Sequence, residues 1–218
     1  ALVMGTVFNA FVERTKTLEY AQSLTPERWL RECYFELQSI FVSFDGSMLI
    51  SAVIGMVDDV SGLLYFFNAE HPWPVLYRNG KAEFAQSELD IRKIGTIEDD
   101  KELIIRTLQL YPGDSLFIGS DGRDDIMLGN NEETGMRIIN EDETLFLRTI
   151  ENVHGNFNEV INKTLGLGEI TDDFSLIKID FKTEPEWKKN NQHSDYLAEK
   201  ELGLKALEEK NTEKAIEH

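Results

Sequence analysis

Cysteine is almost absent, with Cys33 the one example in 218 residues. That rules out an internal disulfide framework and suits a reducing compartment. Cys33 lies in the helical pattern Trp29-Leu30-Arg31-Glu32-Cys33-Tyr34-Phe35, where a buried small hydrophobe is expected rather than a nucleophile. Basic residues are scarce as well: 22 Lys and Arg stand against 40 Asp and Glu, for a formal net charge of −18. With no basic cluster to neutralise phosphates, the composition argues against nucleic-acid binding and against anionic membrane surfaces. No apolar run reaches the ~20 residues of a membrane-spanning helix. A glycine-rich phosphate loop is missing too, leaving a sugar- or nucleotide-binding domain without support. The sequence opens at Ala1, without methionine, inside an apolar helical pattern. The expectation is therefore a cytoplasmic fragment of a longer protein.

What is present is enough apolar material for a core, 41% of residues. Residues 1–21 carry Val3, Val7, Phe8, Phe11 and Leu18 at helical spacing. Thr25-Pro26 supplies an N-cap and a first-turn proline for a second helix running towards Asp45-Gly46. Strands follow at 48–57 and 63–69, at 74–78 and 82–84 around Asn79-Gly80, and at 102–110 and 115–120 around Pro112-Gly113. Helices are predicted at about 142–153 and 157–165, with a closing strand at 174–181. Strands and helices grouped in separate blocks predict an α+β layered fold. Beyond Lys182 the composition turns to Glu, Lys, Asn and Gln, which marks a boundary between a domain at 1–182 and a linker with helical tail at 183–218.

Two motifs carry chemistry. Leu116-Phe117-Ile118-Gly119-Ser120-Asp121-Gly122 ends an apolar strand on a carboxylate, and Thr171-Asp172-Asp173-Phe174-Ser175-Leu176 opens one. Strand ends that each present an Asp can hold a hard cation, because Mg²⁺ and Mn²⁺ prefer carboxylate and water oxygens. Singly, each motif reads more readily as a turn or a solvated strand edge.

In order and spacing these motifs, with Asn68-Ala69-Glu70-His71-Pro72-Trp73 and Leu110-Tyr111-Pro112-Gly113-Asp114, resemble the PPM-type metal-dependent serine/threonine phosphatases of the SpoIIE and RsbU branch. The resemblance covers residues 1–182. It implies a two-sheet β-sandwich flanked by helices, and two cations, Mn²⁺ or Mg²⁺, whose bridging water attacks the phosphorus of phosphoserine or phosphothreonine. It makes Asp121 and Asp172 metal ligands and places Asp173 beside them as a supporting residue. His71 is weighed as a general acid but read first as a structural hydrogen-bonding residue, and Asp114 as a turn residue. Glu70 stands where the family has glycine, and Arg123-Asp124-Asp125 departs from the usual pattern after Asp-Gly. The family's first metal motif, Gly-Asp followed by Gly-His-Gly, is missing ahead of Ala1. The expectation is accordingly an N-terminally truncated domain, with a partial or empty metal site, negligible turnover, and uncovered strand edges that favour a homodimer. The implied partner is a phosphorylated regulatory protein of a partner-switching pathway. A non-catalytic binding module on the same scaffold is the alternative. The tail's Leu202-Gly203 and Ala215 resemble the start of a tetratricopeptide repeat, with a solvated terminal helix as the alternative.

Overall fold

A computed structural model of the chain describes residues 2–19, 23–97, 102–131 and 134–182. The expected helical tail and repeat at 183–218 lie outside the described residues.

The chain begins with helix α1 (Leu2–Thr17) and helix α2 (Pro26–Val42). Thr25 caps α2, its side chain accepting from the Arg28 N–H at 3.3 Å, and Pro26 occupies the first turn. Leu30, Cys33, Tyr34, Leu37 and Phe41 of α2 are all buried, a spacing that places them on one face. Burial, and then the neighbouring Glu36 charge, push the Cys33 thiol up to about 12, so it packs as a hydrophobe. The Trp29 indole N–H donates to Thr15 Oγ1 at 3.1 Å, and its ring meets Phe11 edge-on, tying α1 to α2.

Two larger antiparallel sheets follow. The first has the order β1-β2-β5, formed by β1 (Ala52–Val57), β2 (Leu63–Ala69) and β5 (Arg106–Gln109). The second has the order β10-β6-β3-β4, formed by β3 (Val75–Arg78), β4 (Lys81–Phe84), β6 (Ser115–Gly119) and β10 (Leu176–Asp180). Alternation along each strand sorts side chains between layers. In β2, Tyr65 and Phe67 pack towards the α2 side, while Leu64 and Phe66 meet Leu116 and Ile118 of β6 between the sheets. Phe117 of β6 points the other way, into a core built with α3 (Leu145–Asn152) and α4 (Phe157–Leu165) through Phe146, Ile150 and Val160. The layers run helix, sheet, sheet, helix, as an α+β sandwich requires.

Three local features differ from the sequence expectation or add to it. The run at 48–57 pairs as a strand only from Ala52, because Ile50 bridges Ile94 instead. The run at 102–110 pairs only over Arg106–Gln109. Beside the expected two-sheet sandwich stands a third small sheet of order β8-β7-β9, made of β7 (Ile126–Asn130), β8 (Arg137–Ile139) and β9 (Glu169–Ile170). Gly129, at φ +152°, breaks the register of β7 and hides its strand pattern. No helix among the described residues is long and apolar enough to cross a membrane.

Candidate metal centre

Strands β6 and β10 are antiparallel neighbours, with Gly119 opposite Leu176. The end of β6 and the start of β10 therefore emerge side by side, and each continues into one of the two acidic motifs. After Gly119 the chain makes a single 3₁₀ turn, Asp121–Arg123. The backbone N–H groups of Asp124 and Asp125 both donate to the Asp121 carbonyl, at 2.7 and 3.0 Å, bringing Asp125 back alongside Asp121.

Ser120 straps the two motifs together. Its backbone N–H donates to the Ser175 carbonyl at 3.0 Å, its hydroxyl donates to the Asp173 carbonyl at 2.8 Å, and that hydroxyl accepts from the Ser175 N–H at 2.9 Å. Gly122 permits the approach. A Cβ there would sit 2.6 Å from the Asp173 carbonyl oxygen and 3.0 Å from that of Asp172.

The outcome is a cluster of three carboxylates, Asp121, Asp125 and Asp172, whose nearest oxygens lie within 4.8 Å of one another. All three donors are hard anionic oxygens, the set that suits Mg²⁺ or Mn²⁺. Asp121 Oδ1 is oriented by the Gly122 N–H at 3.1 Å, and Asp172 Oδ1 by the Asp173 N–H at 2.6 Å. Asp173 itself is exposed, and it supports the cluster through its backbone. The structure brings Asp121 and Asp172 together, as the two motifs suggest, and adds Asp125, which the motifs do not include. Its signal was present: Asp125 abuts the apolar run Ile126-Met127-Leu128, the same arrangement as the two chosen motifs.

His71 stands outside the carboxylate cluster, on the wall of an adjoining cavity that Asp125 also lines. Its backbone is clamped by Asn68, which accepts from the His71 N–H at 2.8 Å and donates to its carbonyl at 2.9 Å. Its Nδ1 lies 3.0 Å from the Pro72 carbonyl, which can only accept, so Nδ1 carries the proton. Burial holds the imidazole below its ordinary pKa. Asp114 is more than a turn residue. It is buried at 4% exposure and forms a bidentate ion pair with Arg78, with contacts from 2.6 to 3.1 Å.

Arg123 is 3% exposed and bridges three elements. Its Nε donates to Asp124 at 3.0 Å, its Nη2 donates to the Trp73 carbonyl at 2.9 Å, and its guanidinium sits 4.7 Å from the Phe146 ring centroid. Burial pushes the Asp124 carboxyl up, against the pull of Arg123.

The fold is that of PP2C-type phosphatase domains. The SpoIIE phosphatase domain of Bacillus subtilis superposes with a TM-score of 0.50 at 13% identity, covering 84% of this chain and 74% of that one. The RsbU and RsbW domains of Rv1364c from Mycobacterium tuberculosis give 0.56 at 17% identity, with 81% of this chain covered. The chain spans about half of that protein's length, 49%. The serine/threonine phosphatase PstP/Ppp of Mycobacterium tuberculosis gives 0.56 at 12%, covering 83% and 82% of the two chains. A search of curated proteins returned no match. The profile of the Stage II sporulation protein E (SpoIIE) family matches residues 1–182, and the chain belongs to that family. Family and fold together support a phosphatase-type function.

Proposed function

We propose that this protein is a metal-dependent phosphatase acting on phosphoserine or phosphothreonine of a regulatory protein, with Asp121, Asp125 and Asp172 holding Mn²⁺ or Mg²⁺. The convergence of these three carboxylates from two turns carries the reading. A divalent cation bound there supplies a lowered pKa for coordinated water and neutralises charge developing on the phosphoryl oxygens. The chain's own residues do the positioning. Ser120 locks the two turns in register, Gly122 leaves room for their backbones to touch, and the N–H groups of Gly122 and Asp173 aim one oxygen each on Asp121 and Asp172. His71 holds its proton at Nδ1 against Pro72, and its lowered pKa opposes a role as proton donor to the leaving oxygen. Its clamp by Asn68 supports a structural role. With three carboxylates from the described residues, occupancy by a single cation is expected, and turnover is expected to be slow.

The test is phosphate release from a phosphoserine peptide with and without Mn²⁺. Mn²⁺-dependent release that Asp121→Asn, Asp125→Asn and Asp172→Asn each abolish supports the proposal, with His71→Ala costing only a few-fold. Metal-independent release, or full activity in those variants, contradicts it.

A further inference from the structure

Next to the carboxylate cluster lies a cavity of about 420 Å³. Asp125 belongs to both, so whatever fills the cavity sits against the cluster. Its walls are unbalanced in charge. Asp124, Glu141 and Glu143 face a single cation, Arg123, whose Nε is already committed to Asp124. Glu141 and Glu143 are exposed, and neither is paired with a cation among the described residues. The floor is aromatic, with Trp73 and Phe84 edge-on at 5.4 Å. One further group is unsatisfied: Arg123 Nη1 is buried and has no hydrogen-bond partner, while its residue lines the cavity.

Resting on the phosphatase reading, we infer that this cavity docks a basic side chain of the phosphorylated substrate, a lysine or arginine within a few residues of the phosphoserine. A long cationic side chain suits both surfaces, its methylenes against the aromatic floor and its charge between Glu141 and Glu143. Arg123 presents little charge to such an occupant, since it is 3% exposed and its Nη1 is closed off from solvent. An apolar or acidic side chain would leave the carboxylates uncompensated or repelled. The phosphate then lies at the metal cluster and the basic residue in the cavity, two anchors on one short peptide.

The test uses fluorescein-labelled peptides in which a phosphonate replaces the phosphoserine, so that nothing is hydrolysed, with Arg, Ala or Glu placed in turn at positions −3 to +3. Matching peptides lack the phosphonate. Binding to the full chain is read by fluorescence anisotropy with and without Mn²⁺. At one or two positions, Arg is expected to bind about ten-fold tighter than Ala, the gain from two exposed ion pairs. Glu141→Gln/Glu143→Gln should reduce that preference to about two-fold or less. Glu27→Gln/Asp59→Asn, which removes two carboxylates away from the cavity lining, should leave it intact. Equal tightening at every position, or equal loss in both double variants, would show general attraction by an acidic protein and overturn the inference. So would phosphonate- and Mn²⁺-dependent binding with no Arg preference. An Arg preference that depends on Glu141 and Glu143 but not on phosphonate or Mn²⁺ would uphold the pocket and overturn the phosphatase reading instead.

Discussion

The carbonyl of Asp125 accepts two hydrogen bonds from Thr171, one from its backbone N–H at 3.0 Å and one from its hydroxyl at 2.9 Å. Thr171 thereby couples the third carboxylate to the turn that carries Asp172, and ties β7 to the approach of β10. Groups that orient metal ligands commonly change affinity by ten-fold or more when removed. Thr171→Val keeps the shape and the backbone bond but loses the hydroxyl. It should weaken Mn²⁺ binding by about ten-fold, and Thr171→Ser should restore it. Titration calorimetry distinguishes these outcomes.

Gly122→Ala tests the close approach of the two turns. The added methyl would meet the Asp173 carbonyl oxygen at 2.6 Å, closer than any real Cβ contact, and backbone cannot swing aside as a side chain can. The two motifs must then separate. Mn²⁺ affinity should fall by more than about ten-fold while far-ultraviolet circular dichroism stays that of the wild type. Unchanged affinity would mean that the turns need not touch for metal binding.

Glu70 occupies left-handed backbone at φ +47°, which accounts for the glycine that the family carries at this place. Relief of that strain outweighs the extra flexibility that glycine gives the unfolded chain. Glu70→Gly should therefore raise stability by ~0.5–1 kcal/mol, or about 1–4 °C in Tm for a domain of this size. A lower Tm would show that the Glu70 side chain contributes more than its backbone costs.

The α+β class and the place of most elements were legible in the sequence because they follow from apolar periodicity and local turn chemistry, whereas the order of the layers came with the family resemblance. Residues 157–165 and 63–69 are helix and strand as expected, and Asn79-Gly80 makes its tight turn. What escaped the sequence was non-local. Gly129 interrupts the alternation that would have revealed β7, and the two-residue β9 is too short to carry a pattern. Asp121 and Asp172 stand out in the sequence because each adjoins a strong apolar run. Asp125 adjoins one too, but its place beside them depends on the 3₁₀ turn, which Asp-Gly-Arg does not announce. The Asp114–Arg78 pair joins residues 36 apart, so the sequence showed only the turn at Asp114.

That ion pair sets an acid limit on stability. Burial raises the Asp114 pKa, but the Arg78 bonds and the Tyr111 N–H outweigh it, and the net pKa lies below the ordinary carboxylate value of 3.8. A depressed folded pKa gives stability that is complete above the unfolded value and lost as pH falls through the folded one. Asp114→Asn should cost on the order of 2 kcal/mol at pH 7, with the Tm gap to wild type closing below about pH 4. A gap that is constant from pH 7 to pH 3 would mean that charge is not what the pair contributes.

The proposed metal site needs Asp125 together with Asp121 and Asp172, and calorimetric titration of Mn²⁺ into the whole chain is its sharpest test. Asp121→Asn, Asp125→Asn and Asp172→Asn should each weaken binding by at least about ten-fold, whereas Asp173→Asn, which keeps its backbone N–H on Asp172, should bind as the wild type does. Wild-type affinity in Asp125→Asn, or no Mn²⁺ binding by the unaltered chain at millimolar concentrations, would mean that these carboxylates are not a metal site.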